Sequence, residues 1–96
     1  MNTYKDTISG ETLYVNDKVY GTFYYKDKSF TIPHRVDGPA MVWDDGRKRW
    51  FQNGKIHRMD GPAIEWKNKH NEWWIDGEGI ASINGDSPLV IYKYNG

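Results

Sequence analysis

Apolar and polar residues alternate in short runs along this chain, and the runs stop at Gly, Asn or Asp. AMVW (40–43) and KRWFQ (48–52) are typical, with DDGR between them. A two-residue period reads as half-buried β-strand, because successive side chains point to opposite faces. With a four-residue loop at 44–47, Trp43 faces Lys48, Val42 faces Arg49 and Met41 faces Trp50. Met41, Trp43 and Trp50 then share one face, opposite Ala40, Val42 and Phe51. No run carries helical periodicity.

The same runs recur at a fixed distance. Residues 34–54 read HRVDGPAMVWDDGRKRWFQNG and 57–77 read HRMDGPAIEWKNKHNEWWIDG, offset by 23. A match of that length at constant spacing is an internal repeat. By the same pairing, Ile64, Trp66 and Trp73 share a face in the second copy, opposite Ala63, Glu65 and Trp74. Asp37-Gly38, Asn53-Gly54, Asp60-Gly61 and Asp76-Gly77 read as turns whose Gly takes positive φ.

Weaker echoes flank these copies. LYVNDKVYG (13–21) follows WFQNGKIHR (50–58) and puts a turn at Asn16-Asp17, and TFYYKDKSF (22–30) reads as a further hairpin. After Gly77 the pattern decays to GIASINGDS, and SPLVIYKYNG supplies a last alternating strand. The expected organisation is one domain over 1–96. Degenerate hairpins at 11–33 form a cap, 34–56 and 57–79 are the two repeats, and 80–96 is a C-terminal capping strand. Atypical terminal units close a repeat array. The fold class is all-β: an antiparallel meander of β-hairpin repeats in a single-layer or curled sheet.

Composition sharpens this picture. Aromatic residues make up 16% of the chain, with five Trp and seven Tyr, a content suited to pleated surfaces. Thirteen basic residues balance thirteen acidic ones, so no large basic footprint invites non-specific nucleic-acid binding. Cysteine is absent, which removes disulfides and zinc thiolate patterns and points to a reducing, cytoplasmic setting. The opening MNTYKDTISG lacks a signal-peptide apolar core, and no stretch is long enough to span a bilayer.

A 23-residue, Gly-punctuated, aromatic-rich hairpin unit resembles the MORN repeat. NGKIHRMDGPAIEW is more closely similar to the divergent HRxDGPA-type repeats of bacteriophage, bacterial and giant-virus proteins. The resemblance covers 31–79 closely and 11–30 loosely, with the family's tyrosines and paired glycines only partly present. It implies a MORN-like β-meander that scaffolds partner binding. Together with small size it implies a phage-encoded inhibitor or adaptor acting on a host or defence protein, in the cytoplasm of the host cell.

No enzyme is expected. There is no GxSxG, no P-loop and no HExxH, and His34, His57 and His70 are not spaced as metal ligands, so no metal or other cofactor is predicted. His34, Arg35, Asp37 and Gly38, with His57, Arg58, Asp60 and Gly61, read as a structural joint. Asp accepts backbone amides, Arg pairs with it bidentately, and His fastens one unit to the next. On that reading, substituting Asp60 lowers stability. The leading functional expectation is a protein partner held by aromatic residues, with Phe51, Trp74, Tyr24, Tyr25, Tyr92 and Tyr94 as candidates. The alternative is RNA or a single nucleic-acid strand on the basic tips Arg47, Lys48, Arg49, Lys67, Lys69 and His70 beside those aromatics. A structural homo-oligomer, pairing by free sheet edges, is a third.

Overall fold

The computed structural model describes residues 2–85 and 88–91, which contain strands and turns but no helix. The strands are β1 (Asn2–Lys5), β2 (Thr12–Lys18), β3 (Gly21–Tyr25), β4 (Met41–Trp43), β5 (Lys48–Arg49), β6 (Phe51–Gln52), β7 (Lys55–Ile56), β8 (Ile64–Glu65), β9 (His70–Ile75), β10 (Glu78–Asn84) and β11 (Val90–Ile91). Nine of them pair antiparallel in the order β1-β2-β3-β4-β5-β8-β9-β10-β11, while β6 and β7 form a separate hairpin. The fold is thus the expected all-β antiparallel meander, an open sheet that does not close into a barrel.

The turns explain where each strand ends. Asn53 and Gly54, and likewise Asp76 and Gly77, both have positive φ, the geometry of a two-residue hairpin turn whose twist suits the flanking strands. Gly38 and Gly61 do not adopt positive φ, contrary to the turn reading of their dipeptides. The expected turn at Asn16-Asp17 is also displaced. Both residues lie within β2, and the chain reverses at Val19-Tyr20, since Lys18 pairs with Gly21. Asp17 instead ties neighbouring strands, accepting hydrogen bonds from Thr22 Oγ1 (2.9 Å) and Asn2 Nδ2 (2.9 Å).

The β4–β5 register differs from expectation by one residue. Met41 pairs with Arg49 and Val42 with Lys48, and the Trp43 amide donates to the Arg47 carbonyl at 2.9 Å. The loop therefore has three residues, 44–46, closed by Gly46 at φ 99°. The second copy does the same: Ile64 pairs with Glu72, and the Trp66 amide donates to the His70 carbonyl. Its loop closes with Lys69 at φ 58°, the residue equivalent to Gly46. A one-residue slip moves every side chain on one strand to the other face. Arg47 and Arg49, not Trp50, thus share the Met41/Trp43 face. His70, Glu72 and Trp74, not Trp73, share the Ile64/Trp66 face.

The core is small and divided between the two faces. Phe23 and Ile64 are buried on the face just described. Leu13 and Ala81 are buried on the other, and Ala40 and Ala63, each one residue before its strand, have no exposed surface. With a shortest dimension of 21 Å, the molecule leaves room for little more than the sheet and its side-chain layers.

Candidate functional site

Each HRxDGPA loop leaves the sheet after a hairpin and returns to it at the Ala. In the first, Arg35 Nε donates to Asp37 Oδ1 (2.6 Å) and Nη1 to the Pro39 carbonyl (3.3 Å). In the second, Arg58 Nε donates to Asp60 Oδ1 (2.9 Å) and Nη1 to the Pro62 carbonyl (3.0 Å). The Arg–Asp contact is single, not bidentate, because the second guanidinium arm serves the loop's own carbonyl. This explains the glycines. A Cβ on Gly38 would lie 3.0 Å from Arg35 Cζ, and one on Gly61 would lie 2.9 Å from Arg58 Cζ, so a side chain there would displace the guanidinium from its place. The histidines reach the following turns. His34 Nδ1 accepts the Asn53 amide (2.9 Å) and His57 Nδ1 accepts the Asp76 amide (3.0 Å).

The two loops differ in what covers them. The turn after β1 folds onto the first. Asp6 Oδ2 accepts the Val36 amide (2.6 Å) and the Asp37 amide (3.1 Å), while Oδ1 accepts the Ile8 and Ser9 amides. Asp37 Oδ2 in turn accepts Tyr4 Oη, the Thr7 amide (2.8 Å) and Thr7 Oγ1 (2.8 Å). The Arg35 guanidinium lies against both the Tyr4 and Tyr24 rings, 4.8 and 4.3 Å from their centroids, where the two rings meet edge-on, a doubled cation–π contact. Burial pushes the Asp37 carboxyl up, but the Thr7 amide, Tyr4, Arg35 and the Thr7 hydroxyl together hold it far below the ordinary carboxylate range. Asp6 is also displaced downward: burial opposes it, and the Ser9, Val36, Asp37 and Ile8 amides outweigh burial.

The second loop has the same parts and no cover. Arg58 stacks on one ring, Trp50, at 4.0 Å, and Arg58 Nη1 also contacts Glu65 Oε2 at 3.3 Å. Among the described residues Asp60 is met only by Arg58 and its own backbone amide, and the Met59 amide has no acceptor. The Asp37 side chain is 5% exposed; that of Asp60 is 86% exposed. Between the loops lies a groove of about 440 Å³ with Trp50, His57 and Arg58 in its lining. Ile8, at 71% exposure, and Met59, at 75%, also line it and are among the most exposed large apolar residues of the chain.

Of the predicted nucleic-acid residues, all but Lys48 lie on the other face or at its hairpin tips. Arg49 sits between Trp43 and Trp66, 5.4 and 5.3 Å from their centroids, and Arg47 stacks on Trp43 at 4.9 Å. Glu72 accepts Trp66 Nε1 (2.7 Å), Trp74 Nε1 (3.0 Å) and the His70 Nε2 contact (3.1 Å). Burial raises the Glu72 carboxyl, and those three donors bring it below its usual value. A second cavity of about 630 Å³ gathers Arg47, Lys67 and His70 with Asp45 and Glu72. Asp45 lies 2.9 Å from Arg47 and 3.8 Å from Lys67, so two carboxylates share the space a phosphate would need. Lys69 is exposed at its loop, and Lys48 points to the opposite face, paired across strands with Val42 and Glu65.

The predicted aromatic residues Tyr24, Tyr25, Phe51 and Trp74 are half-buried and engaged. Tyr24 meets Tyr4 edge-on (centroids 5.3 Å) as well as Arg35, and Tyr25 packs on Phe30 (5.3 Å). The carbonyls of Phe51 and Trp74 accept the Arg35 and Arg58 amides. Tyr92 and Tyr94 lie outside the described residues. Sequence reasoning missed Tyr4, Asp6, Thr7, Ile8 and Met59. The Asp-Thr-Ile-Ser-Gly run at 6–10, rich in turn formers, was the available signal for Asp6, Thr7 and Ile8. Comparison with known proteins found no matching family model, no matching curated relative and no matching solved structure.

Proposed function

We infer that this chain is a non-catalytic protein-interaction module, and that its binding surface is the groove between the two HRxDGPA loops. The observation that carries this reading is the pairing of two exposed apolar side chains, Ile8 and Met59, with the exposed Asp60 and its Arg58 partner on one concave surface. Apolar anchors beside an orienting polar pair are what a protein hot spot needs. The basic tips favour a nucleic acid less, since carboxylates neutralise them locally. The resemblance to phage and bacterial HRxDGPA proteins adds that the partner is a host or defence protein.

The test is capture from host lysate by the wild-type chain and by Ile8→Glu with Met59→Glu. Both positions are exposed, so the variant keeps its fold, checked by circular dichroism. Loss of a wild-type partner in the variant, unchanged by nuclease, supports the reading. A partner retained by the variant, or released by nuclease, removes it.

A further inference from the structure

The first loop is occupied by this chain's own segment, and the second displays the same unmet groups. We propose that the second loop receives from a partner protein a turn with the chemistry of Tyr4–Thr7: an aromatic residue, one spacer, a carboxylate, then a hydroxyl residue. This deepens the protein-interaction reading and rests on it.

The first loop shows what each group requires. Its two amides after the Arg, those of Val36 and Asp37, are both taken by the Asp6 carboxylate. Its Asp takes a backbone amide and a hydroxyl from Thr7. Its guanidinium, already resting on Tyr24, also meets the Tyr4 ring, which packs edge-on against Tyr24. In the second loop Met59 and Asp60 supply the equivalent amides, Asp60 supplies the carboxylate, and Arg58 rests on Trp50. Among the described residues none of the three has its visitor.

The chain does not fill the socket with its only other Tyr-Lys-Asp run. Tyr25-Lys26-Asp27 spends its carboxylate on its own loop, where Asp27 accepts the Thr31 amide (3.0 Å) and the Ile32 amide (2.9 Å). A second copy of the chain would have to withdraw Tyr4–Thr7 from its own first loop, breaking the bonds just described. A foreign segment carries no such penalty. Its carboxylate would meet the Met59 amide, which has no acceptor, and its ring would add a second aromatic contact to Arg58 beside Trp50. Ile8, on the turn that fills the first loop, forms a wall beside the open one, so an incoming turn would pack alongside the resident turn.

The probe is the capped peptide Tyr-Lys-Asp-Thr-Ile-Ser, titrated into the isotopically labelled full chain and followed by nuclear magnetic resonance. The expected result is saturable movement of the Met59 and Asp60 amide signals, with a Kd on the order of 1 mM or tighter, as suits so short a ligand. The same peptide carrying Asp6→Ala should bind at least about tenfold more weakly. Equal binding of both peptides, or no movement at Met59 and Asp60 at millimolar peptide, overturns the proposal. Movement confined to Val36 and Asp37 also overturns it, since the peptide would then be replacing the resident turn. A mass of two chains in light scattering without peptide would make a second copy the occupant and would overturn it too. If the peptide fails while Ile8→Glu with Met59→Glu still abolishes partner capture, only the proposed ligand chemistry falls. If capture ignores that variant, the proposed function itself falls.

Discussion

Asp37 and Asp60 occupy one position in two copies of one phrase, yet their surroundings make them energetically different. Asp37 is nearly buried and satisfies Tyr4, Thr7 and Arg35 at once. Asp37→Ala strands those donors and the Arg35 charge, so it should cost about 3 kcal/mol in denaturant unfolding. Asp60→Ala removes one solvent-screened contact and should leave the unfolding midpoint where it was. The sequence-based expectation that substituting Asp60 lowers stability therefore moves to Asp37. Equal losses at both positions would mean that the second loop is covered as the first is. The roles of Gly38 and Gly61 belong to this scale too. They were legible as turn formers, and they are instead clearances for Arg35 and Arg58, which no local propensity reveals.

Strand existence was legible because alternation and turn residues both mark it; register was not. Whether the β4–β5 loop has three residues or four turns on the backbone of one residue, Gly46, and the DDGR string permits either. The same choice in the second copy, made at Lys69, decides whether Trp73 or Trp74 joins Trp66, and hence which indoles Glu72 can bind. The site role of Tyr4 and Asp6 was missed because their partners in the first loop, Arg35, Val36 and Asp37, lie some thirty residues away. The second hairpin carries a measurable mark of its loop geometry. Lys69 holds the left-handed conformation that Gly46 holds in the first copy. Left-handed backbone costs a side-chain-bearing residue about 1–2 kcal/mol, and glycine returns part of that gain through unfolded-state entropy. Lys69→Gly should thus stabilise the chain by about 0.5 kcal/mol in thermal unfolding. A lower melting temperature would show that the lysine side chain contributes more than its backbone costs.

Across the whole molecule, a thin sheet with little buried hydrocarbon is fastened by carboxylates. Asp6, Asp37 and Glu72 are held below their ordinary values against the effect of burial, by backbone amides, Tyr, Arg and indole donors. Glu11 is lowered chiefly by its 2.8 Å contact with His34, then by Ser9. A depressed folded-state value means stability that is complete above the unfolded carboxylate range, near pH 4, and lost as pH falls below it. Tyr4 is raised, first by its bond to Asp37, so its contribution is present at neutral pH and fades as pH climbs beyond about 10. Urea midpoints should therefore hold through neutral pH and drop steeply below about pH 4, and Asp37→Ala should flatten that acid limb. An acid limb identical in Asp37→Ala would place the linkage elsewhere.

The asymmetry between the two loops is the claim from which the binding site follows, and amide hydrogen exchange in the isolated chain reads it directly. The Val36 and Asp37 amides, both bonded to Asp6, should exchange only when the N-terminal turn opens. The Met59 and Asp60 amides should exchange near the rate of an unstructured chain. Comparable protection of all four would mean that the second loop is already occupied, and the account would be wrong.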